Sequence, residues 1–226
     1  MLKVISSLQE VTRSKECMVT FSKTGRHIFG GELTNLSFTG LPLARPLHNF
    51  LTIDTSDKNS PIVFQGGEYL PLLYPLSYSD GGGYISYRMI GDLEVEITSL
   101  PEAEDENLFP EFLPSRKARL SPLAYAERRI LHSDVRDPSR SDRFRLKKLW
   151  NREFFKVSGM IDHYANRFKC LNPEKGVFHC SAWKIAEFPA TKVPFGDIWR
   201  EYSSDNRFIF SFCFECNQIH GHFECT

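Results

Sequence analysis

The chain has 226 residues, with 28 basic side chains balanced by 28 acidic ones, and 41% of its residues are hydrophobic. Zero formal charge excludes a long-range pull toward nucleic acid or anionic lipid, so any such partner has to be met by a local patch. The composition is that of an ordinary globular protein with room for its own core, and 19 phenylalanines supply that core with flat rings suited to sheet faces.

The opening stretch "MLKVISSLQEVTRSKECMVTF" lacks the apolar run and small-residue cleavage site of a secretory leader. No apolar run is long enough to span a bilayer. A soluble, cytoplasmic protein without a membrane partner is expected. In that reducing compartment the uneven spacing of Cys17 against Cys170, Cys180, Cys213, Cys216 and Cys225 favours thiols or metal ligands over a disulfide framework.

Residues 1–100 read as a sheet-forming half. "CMVTFS", "SPIVF", "EYLPLLYPLSY", "GYISYRM" and "DLEVEITSL" are rich in β-branched and aromatic residues and are separated by Gly, Pro, Asp and Ser. In the last of them Leu93, Val95 and Ile97 alternate with Glu94, Glu96 and Thr98, which predicts a strand with one wet face. The glycines of "YSDGGGYISY" are expected to turn a hairpin between two strands; a phosphate cradle would need a helix after them, and a strand follows.

Residues 101–114 form an acidic connection, with five carboxylates in "PEAEDENLFPEF". Residues 115–165 are expected to be a basic helical segment, since 13 basic residues face five acidic ones between 115 and 156. Ser121 and Pro122 supply an N-cap and a first-turn proline, with Leu123, Tyr125, Ile130 and Leu131 as a buried side. A second helix is expected after Pro138, burying Leu146, Leu149, Trp150 and Phe154. Its polar side carries Arg145, Lys148 and Arg152, which read either as a solvated face or as a contact surface for an acidic protein or a phosphate backbone.

Signatures of nucleophilic, nucleotide-binding and zinc-protease chemistry (G-x-S-x-G, a Walker loop, G-x-G-x-x-G, H-E-x-x-H) do not occur. Asp162 and His163 are neighbours in sequence, so their side chains diverge on either a helix or a strand.

Residues 166–226 hold the richest chemistry. Phe208, Phe210, Phe212 and Phe214 alternate with Ile209, Ser211 and Cys213, and a second alternation runs from 219 to 225. A C-terminal hairpin with a four-residue loop would pair 213 with 220 and 214 with 219. One face then becomes core, with Gly221 leaving room for the Phe212 ring, while Ser211, Cys213, His220, His222 and Glu224 share the other. Cys213, Cys216 and His220 would supply three zinc ligands, with His222 or Cys180 completing a tetrahedron; His179 and Cys170 are further candidates. The competing readings are buried thiols with surface histidines, or a redox C-x-x-C.

Two stretches resemble a known family. Ser22, Lys23, Gly30 and Gly31, then Gly66, Gly67, Leu70, Pro71, Leu72 and Leu73, then Gly83, Tyr84 and Tyr87, are similar to the motifs of the YwqG-like family. The spacing between Lys23 and Gly30 is longer than in that family, and Tyr74-Pro75 replaces its usual glutamine. The resemblance implies a β-rich mixed fold and, as a class, binding or toxin-neutralising immunity proteins, with no catalytic residues to transfer.

Together these readings predict a single α+β domain: a β-rich sheet, a basic helical middle segment and a C-terminal β-hairpin. The expected function is non-enzymatic protein binding, with a toxin-neutralising role suggested by the resemblance. A zinc-stabilised nucleic-acid-binding protein using residues 115–156 is the alternative, and a metal-dependent hydrolase the third reading.

Overall fold

A computed structural model describes residues 17–60, 67–78, 84–103, 111–122, 155–161, 182–189, 207–213 and 217–224. These residues form twelve strands: β1 (Cys17–Phe21), β2 (His27–Phe29), β3 (Ser37–Gly40), β4 (His48–Asp54), β5 (Tyr69–Tyr74), β6 (Tyr84–Met89), β7 (Glu94–Ser99), β8 (Arg116–Pro122), β9 (Phe155–Ile161), β10 (Ala182–Pro189), β11 (Arg207–Cys213) and β12 (Gln218–Glu224). They make one sheet in the order β3-β7-β6-β12-β11-β10-β9-β1-β8-β2-β4-β5. Every pairing is antiparallel except β3 with β7.

The expected α+β class is thereby corrected: the described residues are β-structure, with no helix among them. The start of the expected helical segment is β8. Ala118 and Leu120 point inward while Lys117, Arg119 and Ser121 face out, so the period is two. β1 and β2 hydrogen-bond β8 from both sides, and that pairing overrides the helix-start pattern of Ser121 and Pro122. Pro122 instead closes the strand opposite Cys17, a position where a missing N–H is tolerated. Near the other end of the same segment, residues 155–161 form β9 between β1 and β10. Arg145, Lys148, Arg152 and the remaining helix residues named above lie outside the described residues.

The sheet curls so that its β4–β5 end packs against β10, β11, β12 and β6. Phe50 of β4 meets Phe188 of β10 and Phe208 of β11 at ring-centroid distances of 5.6 and 4.8 Å, and Tyr74 of β5 meets Phe208 at 4.9 Å. Phe29, Phe50, Tyr74, Phe188, Phe208 and Phe210 are all almost wholly buried in the space enclosed. Each such ring contributes about 1.5–3 kcal/mol by leaving water, before any gain from edge-to-face geometry.

The glycine-rich stretch does not turn a hairpin between paired strands. β5 pairs with β4, whereas β6 lies between β12 and β7. In β7, Val95 and Ile97 are buried and Glu94, Glu96 and Thr98 are not, as expected, whereas Leu93, expected on the buried side, lies before the strand and is exposed; Glu96 forms an ion pair with its register neighbour Arg88.

β11 and β12 form the expected hairpin two positions out of the expected register. Phe212 pairs with Ile219, Phe210 with Gly221 and Cys213 with Gln218. An even offset keeps every side chain on its expected face, which is why the phenylalanines still form core. The room left by Gly221 serves Phe210 rather than Phe212: a Cβ there would lie 3.1 Å from the Phe210 ring and 3.0 Å from Ile85.

Candidate binding cleft

Outward-facing residues of β2, β4 and β5 line up in one cross-strand row, Ile28 beside Thr52 beside Pro71, with Lys117 of β8 next to Ile28. A strand this short stays in place because β4 and β8 flank it, and because Gly30 and Gly31 turn the chain immediately after it with φ of 66° and 86°. The Gly31 N–H donates to the Leu113 carbonyl at 2.7 Å, holding the 30–36 loop against the 111–115 segment. Gly30 cannot carry a side chain there, since a Cβ would sit 2.4 Å from the Pro114 carbonyl oxygen.

Loop, row and 92–93 turn together enclose a half-open cleft of about 630 Å³. Its apolar lining comes from Ile28, Leu33, Leu36, Tyr69, Leu93 and Phe112. Four of the six large hydrophobic side chains exposed among the described residues, namely Ile28, Tyr69, Leu93 and Phe112, converge on it. Phe112 is 45% exposed although the adjacent Leu113 is fully buried, so the segment is anchored by one residue and presents the other.

Asn49 contributes a polar group to the lining. It is 3% exposed and donates from Nδ2 to the Gly30 carbonyl at 2.8 Å and to Thr52 Oγ1 at 2.9 Å. Its Oδ1 is buried and accepts no hydrogen bond among the described residues. Asp92, at the rim, accepts the Glu68 N–H at 3.1 Å.

Arg26 also lines the cleft, fixed by Nε on Asp54 Oδ2 and Nη2 on Ser56 Oγ, each at 2.8 Å. Burial alone would raise the Asp54 pKa; hydrogen bonds from Ser56 and the Arg26 charge outweigh it and hold the carboxyl below its ordinary value. Behind Arg26, His27 is fully buried. The Asp54 N–H donates to its Nδ1 at 3.0 Å, which places the ring proton on Nε2, facing Asp57 Oδ2 at 3.0 Å. Burial pushes the His27 pKa down, with Asp57 opposing. Both ring nitrogens are occupied, so this histidine and aspartate pair fastens β2 to the loop after β4 and has no nitrogen left to take a substrate proton.

The residues expected to bind zinc are placed differently. Gln218, not His220, stands opposite Cys213. His220 pairs with Ser86 of β6, whose Oγ lies 2.7 Å from His220 Nδ1. The histidines are not on a wet face: Ser211, Cys213, His220 and His222 are all buried. Among the described residues no group of three or more His, Cys, Asp and Glu is arranged to hold a metal ion. Cys216, Cys180, His179 and Cys170 lie outside the described residues.

Ser86, His220 and Ser211 do form a row across β6, β12 and β11 that the sequence did not suggest. Ser86 and His220 are both buried. No described helix is long and apolar enough to cross a membrane.

The class these observations define is a β-sheet protein with an apolar, half-open cleft on its outer face. In comparisons with family models, curated proteins and solved structures, nothing matches this chain. The likeness to the YwqG-like family therefore rests on its quoted residues alone.

Proposed function

We propose that this chain is a non-enzymatic protein-binding domain and that the cleft over β2, β4 and β5 receives part of its partner. The observation that carries this reading is the gathering of Ile28, Tyr69, Leu93 and Phe112 on one concavity, since exposed apolar side chains scattered singly need no explanation and a rimmed cluster does. The volume lies in the range of ligand-binding clefts. A cytoplasmic setting belongs to the same reading. Toxin neutralisation, as one form of such binding, draws only on the family likeness.

The test is affinity capture from the native host with three forms of the full chain: unaltered, Phe112→Ala with Leu93→Ala in the cleft, and Leu41→Ala with Tyr84→Ala at exposed apolar sites outside it. A protein retained by the first and third forms and lost by the second supports the reading. Equal retention by all three overturns it.

A further inference from the structure

Beside the cleft lies a second pocket of about 330 Å³, adjoining it at Glu32, Leu33 and Phe112, which line both. Its other apolar walls are Phe38, Leu43, Pro46 and Leu47. Two carboxylates, Glu32 and Glu111, stand in its lining, and no basic residue does. Both glutamates are exposed, and neither has an ion-pair partner among the described residues. The main cleft shares Glu32 and adds Asp92, but it also contains a cation, Arg26, held by Asp54, and the inward-set Asn49.

A narrow apolar pocket that ends in uncompensated negative charge fits one kind of side chain, a long hydrocarbon stem with a cationic head. Leu33, Phe38, Leu43 and Pro46 match the stem, and Glu32 and Glu111 match the head. A purely apolar group would leave the two carboxylates to be partly desolvated without compensation, and an acidic group would be repelled. We propose, on the basis of the protein-binding reading above, that the partner engages through an extended segment carrying an arginine or lysine for the smaller pocket. An aromatic or branched apolar residue a few positions away fills the main cleft across the Leu33 and Phe112 divide. The buried Asn49 Oδ1 adds an acceptor for an N–H of the segment in the main cleft.

The probe is a phage-displayed library of random peptides selected on the immobilised full chain, followed by fluorescence anisotropy with the synthetic form of the most enriched peptide. Enriched sequences are expected to pair Arg or Lys with a nearby aromatic or branched apolar residue. Affinity is expected to fall about tenfold or more with Phe112→Ala and also with the double variant Glu32→Gln and Glu111→Gln, and exchanging the peptide's cationic residue for norleucine should have the same effect. Thermal melts of these surface variants verify that they fold. A peptide that depends on Phe112 but binds the double glutamine variant unchanged overturns the cationic anchor and leaves the cleft reading standing. Selection of no peptide, or of one indifferent to Phe112→Ala, overturns both.

Discussion

The Tyr87 hydroxyl donates to the Pro71 carbonyl at 2.7 Å and accepts the Leu73 N–H at 3.0 Å, so one side chain of β6 satisfies the outer edge of β5. Pro71 suits that edge because it has no N–H to leave unpaired. Burial pushes the phenol pKa up, which keeps the donor protonated. Tyr87→Phe keeps the ring and strands both backbone groups in the core, an expected loss of about 1–3 kcal/mol in denaturant unfolding. Amide exchange at Leu73 should accelerate more than exchange at Leu51, on the interior strand β4.

Acid should weaken the β2 anchor. Burial lowers the His27 pKa in the folded protein, while the unfolded chain keeps the ordinary value near 6.5. The unfolded state therefore binds more protons in the window below 6.5, and the stabilisation His27 gives at neutral pH is lost as pH falls through that window toward the folded value. Charging the ring also breaks the bond from the Asp54 N–H to Nδ1. In His27→Gln, the melting temperature should be lower at pH 7.5 and should fall less between pH 6.5 and 5 than it does in the unaltered chain.

Gly221→Ala tests the hairpin register. The added methyl would meet Ile85, Phe210 and the Leu73 carbonyl at 3.0, 3.1 and 3.3 Å, so β12 has to shift against both neighbours. A loss of about 1–3 kcal/mol is expected, read as a lower midpoint at unchanged denaturant slope. In the register expected from the loop length, Phe212 would have flanked this position, and the paired change Phe210→Leu would bring no relief. In the observed register, Phe210→Leu should make the methyl less costly.

Adjacent residues in the 111–115 segment should separate stability from binding. Leu113→Ala empties a fully buried site and is expected to cost about 2–5 kcal/mol. Phe112→Ala removes a half-exposed ring and should change stability by no more than about 0.5 kcal/mol while abolishing partner capture. Paired unfolding and capture measurements on the two variants verify this.

Strands with several alternating β-branched or aromatic residues were legible: β1, β5, β6, β7 and the pair β11 and β12 all fall where the pattern places them. β2 and β3 are three and four residues long, too short to show a period, and exist because β4, β8 and β7 hold them. β8 was misread because Ser121-Pro122 mimics a helix start, whereas the deciding fact, pairing with residues about a hundred positions earlier, has no local trace. The cleft was not legible at all. Ile28 and Leu33, Tyr69, Leu93 and Phe112 come from four separated stretches, and an exposed Phe112 looks in sequence like any core phenylalanine. Conversely, the conspicuous cluster of Cys213, His220 and His222 drew attention through spacing alone, and register and burial changed its meaning.

The strand order also sets a timetable. β6 emerges early in synthesis, yet one of its two neighbours is β12, the last strand described, while β1 waits for both β8 and β9. A growing chain therefore carries open strand edges and a cluster of rings in search of partners until residues 218–224 have left the ribosome. Such long-range pairing folds slowly and is exposed to misassembly in the interval. Emergence of β12, rather than of any early segment, is the event that lets this sheet close.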